Sequence, residues 1–163
     1  MKLAVLILVG AVTLFGANEL SNRRAPGFSL MDSHFQQHDP QDYRGKVVLI
    51  DFMQTTCPIC TRLVDTLQRV KAKYGDRIAI LSIMTLPDNF EKSDKFAEEH
   101  QVRWPMLFDS GQVMMSFLKM TPANPKVNFP HMFIVDGAGM IRYDFEGGED
   151  AAEIEAMIDK AMK

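Results

Sequence analysis

Cysteine is scarce in this sequence, which has only Cys57 and Cys60 among its 163 residues. No second cysteine pair exists to complete a structural zinc site, which needs about four ligands. Any intramolecular disulfide must join these two residues, and it would close a very short loop that adds little stability on the chain-entropy model. A disulfide with so little structural use suggests chemistry instead.

Long runs of like charge, internal repeats and low-complexity tracts are also absent. The formal net charge of −3 argues against a general nucleic-acid partner, which usually requires a basic face. Hydrophobic residues make up 47% of the chain and charged residues 24%, which is ordinary for a globular protein. The length suits one domain with a core of normal size.

The first twenty residues, MKLAVLILVGAVTLFGANEL, have the form of an export signal. Lys2 precedes a short apolar run from Leu3 to Phe15, and the small residue Ala17 follows. We predict a signal peptide or an uncleaved membrane anchor over residues 1–17. The domain would then work in the periplasm or elsewhere outside the cytoplasm, where disulfides persist.

Residues 18–25 are predicted as a linker and residues 26–163 as one α/β domain. The continuous apolar run Val47–Phe52 is typical of a central strand that is covered on both faces. From Cys57 to Tyr74, apolar residues recur every three or four positions, which predicts a helix. Strands and helices then alternate, with one helix–strand element over Asp88–Phe108.

The end of the chain predicts a hairpin over His131–Phe145 and a last helix. Asp150 and Glu153 form the spacing of a capping pair at the start of that helix. Alternating units followed by a hairpin predict a mixed central sheet with helices on both faces.

The predicted geometry places Cys57 at the start of a helix, directly after a buried strand. Unpaired backbone N–H groups and the helix dipole favour an anion there, and a thiolate is such an anion. Cys57 is therefore the expected nucleophile. Cys60 lies one turn further along and is the expected resolving thiol, which attacks the mixed disulfide.

Asp51 lies six residues before Cys57, in an otherwise apolar strand. It could be an ordinary polar strand end. The functional interpretation is a partly buried carboxylate beneath the site, with a raised pKa and a proton to exchange with Cys60.

The segment VVLIDFMQTTCPIC resembles the active-site segment of the thioredoxin superfamily, and NFPHMFIVDGAG resembles the segment of that family that contains a cis-proline. The export signal, the lead-in RGKVVLIDF and the extra helix–strand element are similar to one branch, the TlpA/ResA-like extracytoplasmic thiol-disulfide oxidoreductases. The resemblance implies a thioredoxin-like fold and the roles given above for the cysteines and the aspartate. It also implies that Pro130 is the cis-proline beside the disulfide, with the backbone of Phe129 free to pair with an extended substrate peptide.

The sequence departs from the family beside the nucleophile. The family commonly has Trp immediately before the first cysteine, where this chain has Thr56. Thr56 and Pro58 flank Cys57 and are predicted to contact substrate. Neither Pro58 nor Ile59 is a cation that could stabilise a thiolate, which favours a reductant or a general exchange protein.

The resemblance implies no cofactor beyond the redox-active Cys57–Cys60 disulfide. The implied partners are protein thiols and disulfides, apocytochrome c among them, together with a membrane or periplasmic redox partner. Contact with the membrane is expected only through the possible N-terminal anchor, and the protein is expected to be a monomer.

Three alternatives stay open. Copper delivery, as in Sco-type proteins, would use Cys57, Cys60 and His131 as ligands, although those proteins have a Cys pair that is one residue wider. A peroxidase is disfavoured because the pattern Pro-x-x-x-Thr-x-x-Cys fits neither cysteine. A non-catalytic thioredoxin-fold binding module is compatible with Thr56 and the missing aromatic residue.

Overall fold

The computed structural model describes residues 20–163, so the predicted signal or anchor lies outside the described residues. Within this range the chain forms eight strands and four α-helices. In chain order these are β1 (Arg23–Arg24), β2 (Leu30–Met31), β3 (Gln37–His38), β4 (Val47–Met53), α1 (Pro58–Tyr74), β5 (Ile78–Thr85), α2 (Phe90–Glu99), β6 (Met106–Asp109), α3 (Gln112–Leu118), β7 (His131–Val135), β8 (Met140–Phe145) and α4 (Ala151–Ala161).

Six of the strands form one mixed sheet in the order β1-β8-β7-β4-β5-β6. Strands β4, β5 and β6 are parallel, whereas β7 runs antiparallel to both β4 and β8. Strands β2 and β3 form a separate antiparallel pair. The predicted mixed sheet with helices on both faces is therefore confirmed.

The central strand β4 is buried along its whole length, as its apolar run predicted. Helix α1 follows it and turns one apolar face to the sheet through residues such as Leu63, Leu67 and Val70. The helix ends at Gly75, which has a positive φ of 56°. A side chain would be strained in that conformation, so glycine suits this position.

The sheet separates two hydrophobic cores. Helices α1, α2 and α4 contribute to one core, together with Met53, Met132 and Trp104. Helix α3 covers the other face, where Phe117 packs against Phe52 and Phe133. Successive strand residues point to opposite faces, so Asp51 shares the α1 face with Met53.

The segment predicted as a linker differs from the prediction where the structure describes it. Arg23–Arg24 form edge strand β1 beside β8, and the Asn22 N–H donates to the Ile141 carbonyl at 2.8 Å. Leu20 packs against the α3-side core. These residues therefore belong to the domain, because the exposed edge of β8 offers them backbone partners.

Helix α4 begins with the predicted cap. Asp150 accepts from the Glu153 N–H at 3.0 Å, and the Glu153 side chain accepts from the Asp150 N–H at 2.9 Å. Across residues 20–163, none of the helices combines the length and the apolar character required to cross a membrane.

Candidate active site

The strand-to-helix junction places Cys57 at the N-terminus of α1. Strand β4 ends at Met53, a short turn follows, and Cys57 is the N-cap residue of the helix. Its Sγ accepts a hydrogen bond from the Cys60 N–H at 3.2 Å. This N–H is one of the donors that a helix start leaves without an intrahelical partner, so it can hold a thiolate at Cys57.

Cys60 lies one turn further along α1 and is 0% exposed, whereas Cys57 is half-buried. Both are free thiols in this structure. Burial raises the pKa of the Cys60 thiol, and its hydrogen bond with Cys57 and the nearby charge of Asp51 raise it further. The accessible thiol and the buried thiol are therefore distinct, as the sequence predicted.

Asp51 lies in β4 beneath the cysteines and is 0% exposed. Its Oδ2 accepts a long hydrogen bond from the Ser82 Oγ at 3.4 Å, and its Oδ1 has no hydrogen-bond partner within the described part of the chain. Burial raises the pKa of Asp51 to about 7, although the Ser82 bond opposes this shift. The expected buried carboxyl with a raised pKa is thus present.

Ser82 in turn accepts a hydrogen bond from the indole Nε1–H of Trp104 at 2.9 Å. Sequence reasoning could assign Trp104 only to packing, because nothing in the sequence indicates which residue its indole N–H reaches. Strand register brings the three side chains together: Ser82 of β5 pairs with Asp51 of β4, and its N–H donates to the carbonyl of Pro105.

Pro130 and Phe129 border Cys57 on the β7 side. The Phe129–Pro130 peptide bond is cis, as predicted. The Cys57 Sγ lies 3.7 Å from the Phe129 carbonyl oxygen and donates to it as a thiol.

Gly147 closes this side of the site and was not found from the sequence. A Cβ at this position would lie 2.7 Å from the Pro130 Cγ and 3.6 Å from the Ile59 Cγ2, and the residue has a positive φ of 73°. Only glycine permits both the conformation and this close approach.

The two threonines before Cys57 have different environments. Thr56 is exposed beside the nucleophile. The Thr55 N–H and Oγ1 both donate to the buried carboxylate of Asp88, each at 2.7 Å. Asp88 therefore fixes the turn that carries Cys57, and nothing in the sequence indicates this role.

Two apolar side chains are exposed around this turn: Leu86 is 66% exposed and Ile59 is 44% exposed. The Leu86 carbonyl accepts from the Gln54 side chain at 3.4 Å, which links the segment after β5 to the turn.

His131 follows Pro130 but lies on the other face of the sheet. It stacks on Phe133 with 4.8 Å between ring centroids, and its Nε2 lies 3.6 Å from an Asp144 oxygen. Within residues 20–163, no group of three His, Cys, Asp or Glu side chains could hold a metal ion. The copper hypothesis is therefore wrong about His131, because strand alternation turns it away from α1.

Comparison with protein-family models matches residues 22–144 to the AhpC/TSA family. The thioredoxin-like protein YneN of Bacillus subtilis (strain 168) is 27% identical over 144 residues, which are 84% of this chain and 78% of the relative. The thiol-disulfide oxidoreductase ResA of Geobacillus thermodenitrificans (strain NG80-2) is 26% identical over 138 residues, with 83% of this chain and 74% of the relative covered.

Solved structures share the fold. A thiol:disulfide interchange protein of the thioredoxin family from Chlorobium tepidum TLS superposes with a TM-score of 0.76 at 15% identity, covering 86% of this chain and 97% of the other. The thioredoxin domain of a thiol-disulfide oxidoreductase from Bacteroides vulgatus gives a TM-score of 0.72 at 22% identity, with 88% and 98% covered. These likenesses and the ResA-named relatives confirm the thioredoxin-like fold and the resemblance to TlpA/ResA-like proteins.

Proposed function

This chain belongs to the AhpC/TSA family, and we propose that it is a protein thiol-disulfide oxidoreductase that cycles Cys57 and Cys60 between dithiol and disulfide. One observation carries the proposal. The half-buried Cys57 Sγ lies at a helix start and accepts the N–H of a fully buried Cys60. This arrangement provides an accessible nucleophile and, one turn away, a protected resolving thiol.

The first step is attack by the Cys57 thiolate on one sulfur of a substrate disulfide. The substrate S–S bond breaks, a mixed disulfide between Cys57 and the substrate forms, and the departing sulfur takes up a proton from solvent. The Cys60 N–H supports the thiolate before attack. The exposed Thr56 and Pro58 flank the nucleophile, so they would contact the substrate.

The second step requires Cys60 to lose its proton. Burial and the neighbouring groups raise the pKa of this thiol, so a base must accept the proton. We assign that role to Asp51, whose carboxyl has a pKa of about 7 and can exist in both protonation states near neutral pH. The Cys60 thiolate then attacks the Cys57 Sγ and forms the Cys57–Cys60 disulfide. The mixed disulfide breaks, and the substrate's second sulfur leaves as a thiolate that takes up a proton from solvent.

These two steps pass two electrons from the cysteine pair to the substrate, so the direction proposed is reduction. A cysteine pair is a strong oxidant when its reduced form is stabilised. Here the residues between the cysteines, Pro58 and Ile59, bring no cation to the thiolate. A dithiol protein in the membrane or periplasm must then regenerate the pair.

The substrate is an extended protein segment beside Phe129 and Pro130. The Phe129 carbonyl lies 3.7 Å from the attacking sulfur, so a strand placed along this backbone brings its disulfide to Cys57. The exposed Leu86 and Ile59, near the turn that carries Cys57, offer apolar contacts to the substrate. From the resemblance to TlpA/ResA-like extracytoplasmic proteins, we propose that the protein works outside the cytoplasm, with the cysteines of apocytochrome c as candidate substrates.

Reduction of insulin disulfides by the full-length protein with a dithiol reductant tests the activity. The matched variants are Cys57→Ala, which should reduce nothing, and Cys60→Ala, which should stop at a stable mixed disulfide with its substrate. A redox-inert binding module would reduce nothing as wild type and trap no partner through Cys57, and that pair of results would overturn the proposal.

A further inference from the structure

The extra helix–strand element brings Trp104 to the underside of the candidate active site. Trp104 lies between α2 and β6, packs in the α1-side core and is buried. Its indole Nε1–H has one partner in the structure, the Ser82 Oγ at 2.9 Å. The Ser82 Oγ in turn lies 3.4 Å from the Asp51 Oδ2.

The Ser82 hydroxyl has a single proton, and the Trp104 contact determines where that proton points. Indole N–H is only a donor, so Ser82 must accept from Trp104. Its own proton is then free for Asp51, which accepts it best as a carboxylate. Without Trp104 the hydroxyl could rotate and accept a proton from the neutral acid instead.

We propose that Trp104 is a positioning residue for the proton transfer at Asp51: its indole N–H orients the Ser82 hydroxyl as a donor to the carboxylate and so favours the form that accepts the Cys60 proton. This inference rests on the proposed function and extends it to a residue outside the cysteine segment. Ser82 is fully buried, so solvent does not replace the bond.

Among the residues that the structure describes, few other groups near Asp51 can influence its protonation, so the hydrogen bond from Ser82 has a large effect on it. Strands β5 and β7 place Ser82 and Met132 beside it in register, and neither ionises in the physiological range. From α1 the titratable group that interacts with it is the Cys60 thiol. In the described part of the chain, Ser82 is the only hydrogen-bond donor to the Asp51 carboxylate.

The test uses full-length reduced protein and one equivalent of the aromatic disulfide 5,5′-dithiobis(2-nitrobenzoate). Cys57 releases the first coloured thiol and Cys60 the second, so the second phase reports the Cys60 step. In the wild type, its rate should rise with pH through a midpoint near the Asp51 pKa of about 7.

Ser82→Ala removes the donor and should raise that midpoint by about one pH unit, which slows the second phase about tenfold at pH 6. Trp104→Phe should raise it by about half a unit, because the freed hydroxyl still donates part of the time. Ser82→Thr keeps a hydroxyl at this position, so its midpoint should lie closer to that of the wild type than the midpoint of Ser82→Ala does. The first phase should be unchanged in all three variants.

Double variants separate positioning from structure. Trp104→Phe should have no effect on the second phase in the Asp51→Asn background and should add nothing to Ser82→Ala. An equal slowing by Trp104→Phe with Asp51 and with Asn at this position would overturn the proposal. If Trp104→Phe fails to fold, Ser82→Ala and Ser82→Thr replace it in the test. A pH midpoint of the second phase that is the same in both variants as in the wild type would then overturn the proposal.

An infrared titration of the Asp51 carboxyl in the reduced protein provides a readout that is independent of turnover. Its protonation midpoint should move upward in Trp104→Phe and Ser82→Ala, and an unmoved midpoint would contradict the proposal. If the wild-type protein releases no second thiol, the proposed function is overturned, and the role of Trp104 is overturned with it. If the wild type releases the second thiol but the Asp51 protonation midpoint does not move in Trp104→Phe, only the role of Trp104 is overturned.

Discussion

Two buried aspartates, one in the central sheet and one in the turn after β7, have opposite electrostatic environments. Asp51 has one long hydrogen bond, from Ser82, and burial raises its pKa to about 7. Burial acts on Asp136 in the same direction, but bonds from the Met140 N–H and Arg142 outweigh it and hold the pKa of Asp136 below its usual range. Burial alone therefore does not determine the charge state of a carboxyl, because hydrogen-bond donors and a neighbouring cation such as Arg142 oppose it.

The two aspartates also differ in role: Asp136 stabilises the fold, whereas Asp51 is available for proton transfer. Asp136 follows β7 and accepts from the N–H groups of Ala138 and Met140, each at 2.9 Å, and from Arg142 Nε at 2.6 Å. It organises the hairpin turn as a carboxylate. Asp51 organises no turn, and it stays able to take up a proton beside Cys60.

The largest expected effect is on the pH dependence of stability. Native Asp51 retains a proton up to about pH 7, whereas an unfolded Asp loses it near 4, so the native state binds more protons between these values and stability falls as pH rises. Relative to Asp51→Asn, the wild type should lose roughly 4 kcal/mol of unfolding free energy between pH 4 and pH 9.

Urea unfolding of both proteins across this range measures the loss. Asp65→Asn, at an exposed position of α1, is the matched control and should parallel the wild type. A constant difference between wild type and Asp51→Asn would show that Asp51 ionises normally.

The next effect is on the Cys60 step. Asp51→Asn keeps the shape of the side chain and removes the base, so resolution of the mixed disulfide should slow about a hundredfold at pH 8. Stopped-flow measurement of the second thiol release checks this. Asp136→Asn should change that rate less than twofold, and an equal slowing in both variants would mean that neither carboxyl acts specifically.

Asp136→Ala should have a smaller effect, confined to stability. It removes the acceptor of two turn N–H groups and of Arg142, and we expect a loss of about 2 kcal/mol at pH 7. Since the pKa of Asp136 is lowered on folding, this contribution is present above the ordinary carboxyl range and disappears as pH falls through the folded value. Denaturant titrations at pH 7 and pH 2.5 should show a smaller penalty at the lower pH.

The smallest effect concerns Asp88, which is buried with two donors, both from Thr55. Thr55→Val removes the hydroxyl donor and keeps the backbone N–H, so it should cost about 1 kcal/mol of stability. The first thiol release by Cys57 should slow at most threefold, since the turn keeps its backbone bond. Thr56→Val, at the exposed neighbour, should change stability by less than about 0.5 kcal/mol.

Local features of the sequence predicted much of this architecture. The β4 run, the apolar spacing of α1 and the Asp150–Glu153 cap depend on residues close together in the chain, and all three are present. The burial of Asp51 followed from its position inside an apolar strand. The predicted cis bond at Pro130 is also present, and it rested on the family resemblance.

Contacts between distant segments could not be predicted. The Thr55–Asp88 and Trp104–Ser82 bonds join residues 33 and 22 positions apart, and both depend on how neighbouring strands align. For His131, the sequence suggested nearness to the cysteines because it adjoins Pro130. Neighbouring residues of a strand point to opposite faces of the sheet, and Met132 lies in the core on the α1 side. His131 therefore lies on the face covered by α3.

The reduction potential of the Cys57–Cys60 pair, measured by equilibration with a glutathione or dithiothreitol redox buffer, tests the central claim most directly. Burial raises the pKa of Cys60 and no cation lies between the cysteines, so a reducing pair is expected, with a potential near that of thioredoxin at about −270 mV. A potential of about −120 mV, which is typical of a strong oxidant, would contradict this account. A pair that forms no disulfide at all would contradict it as well.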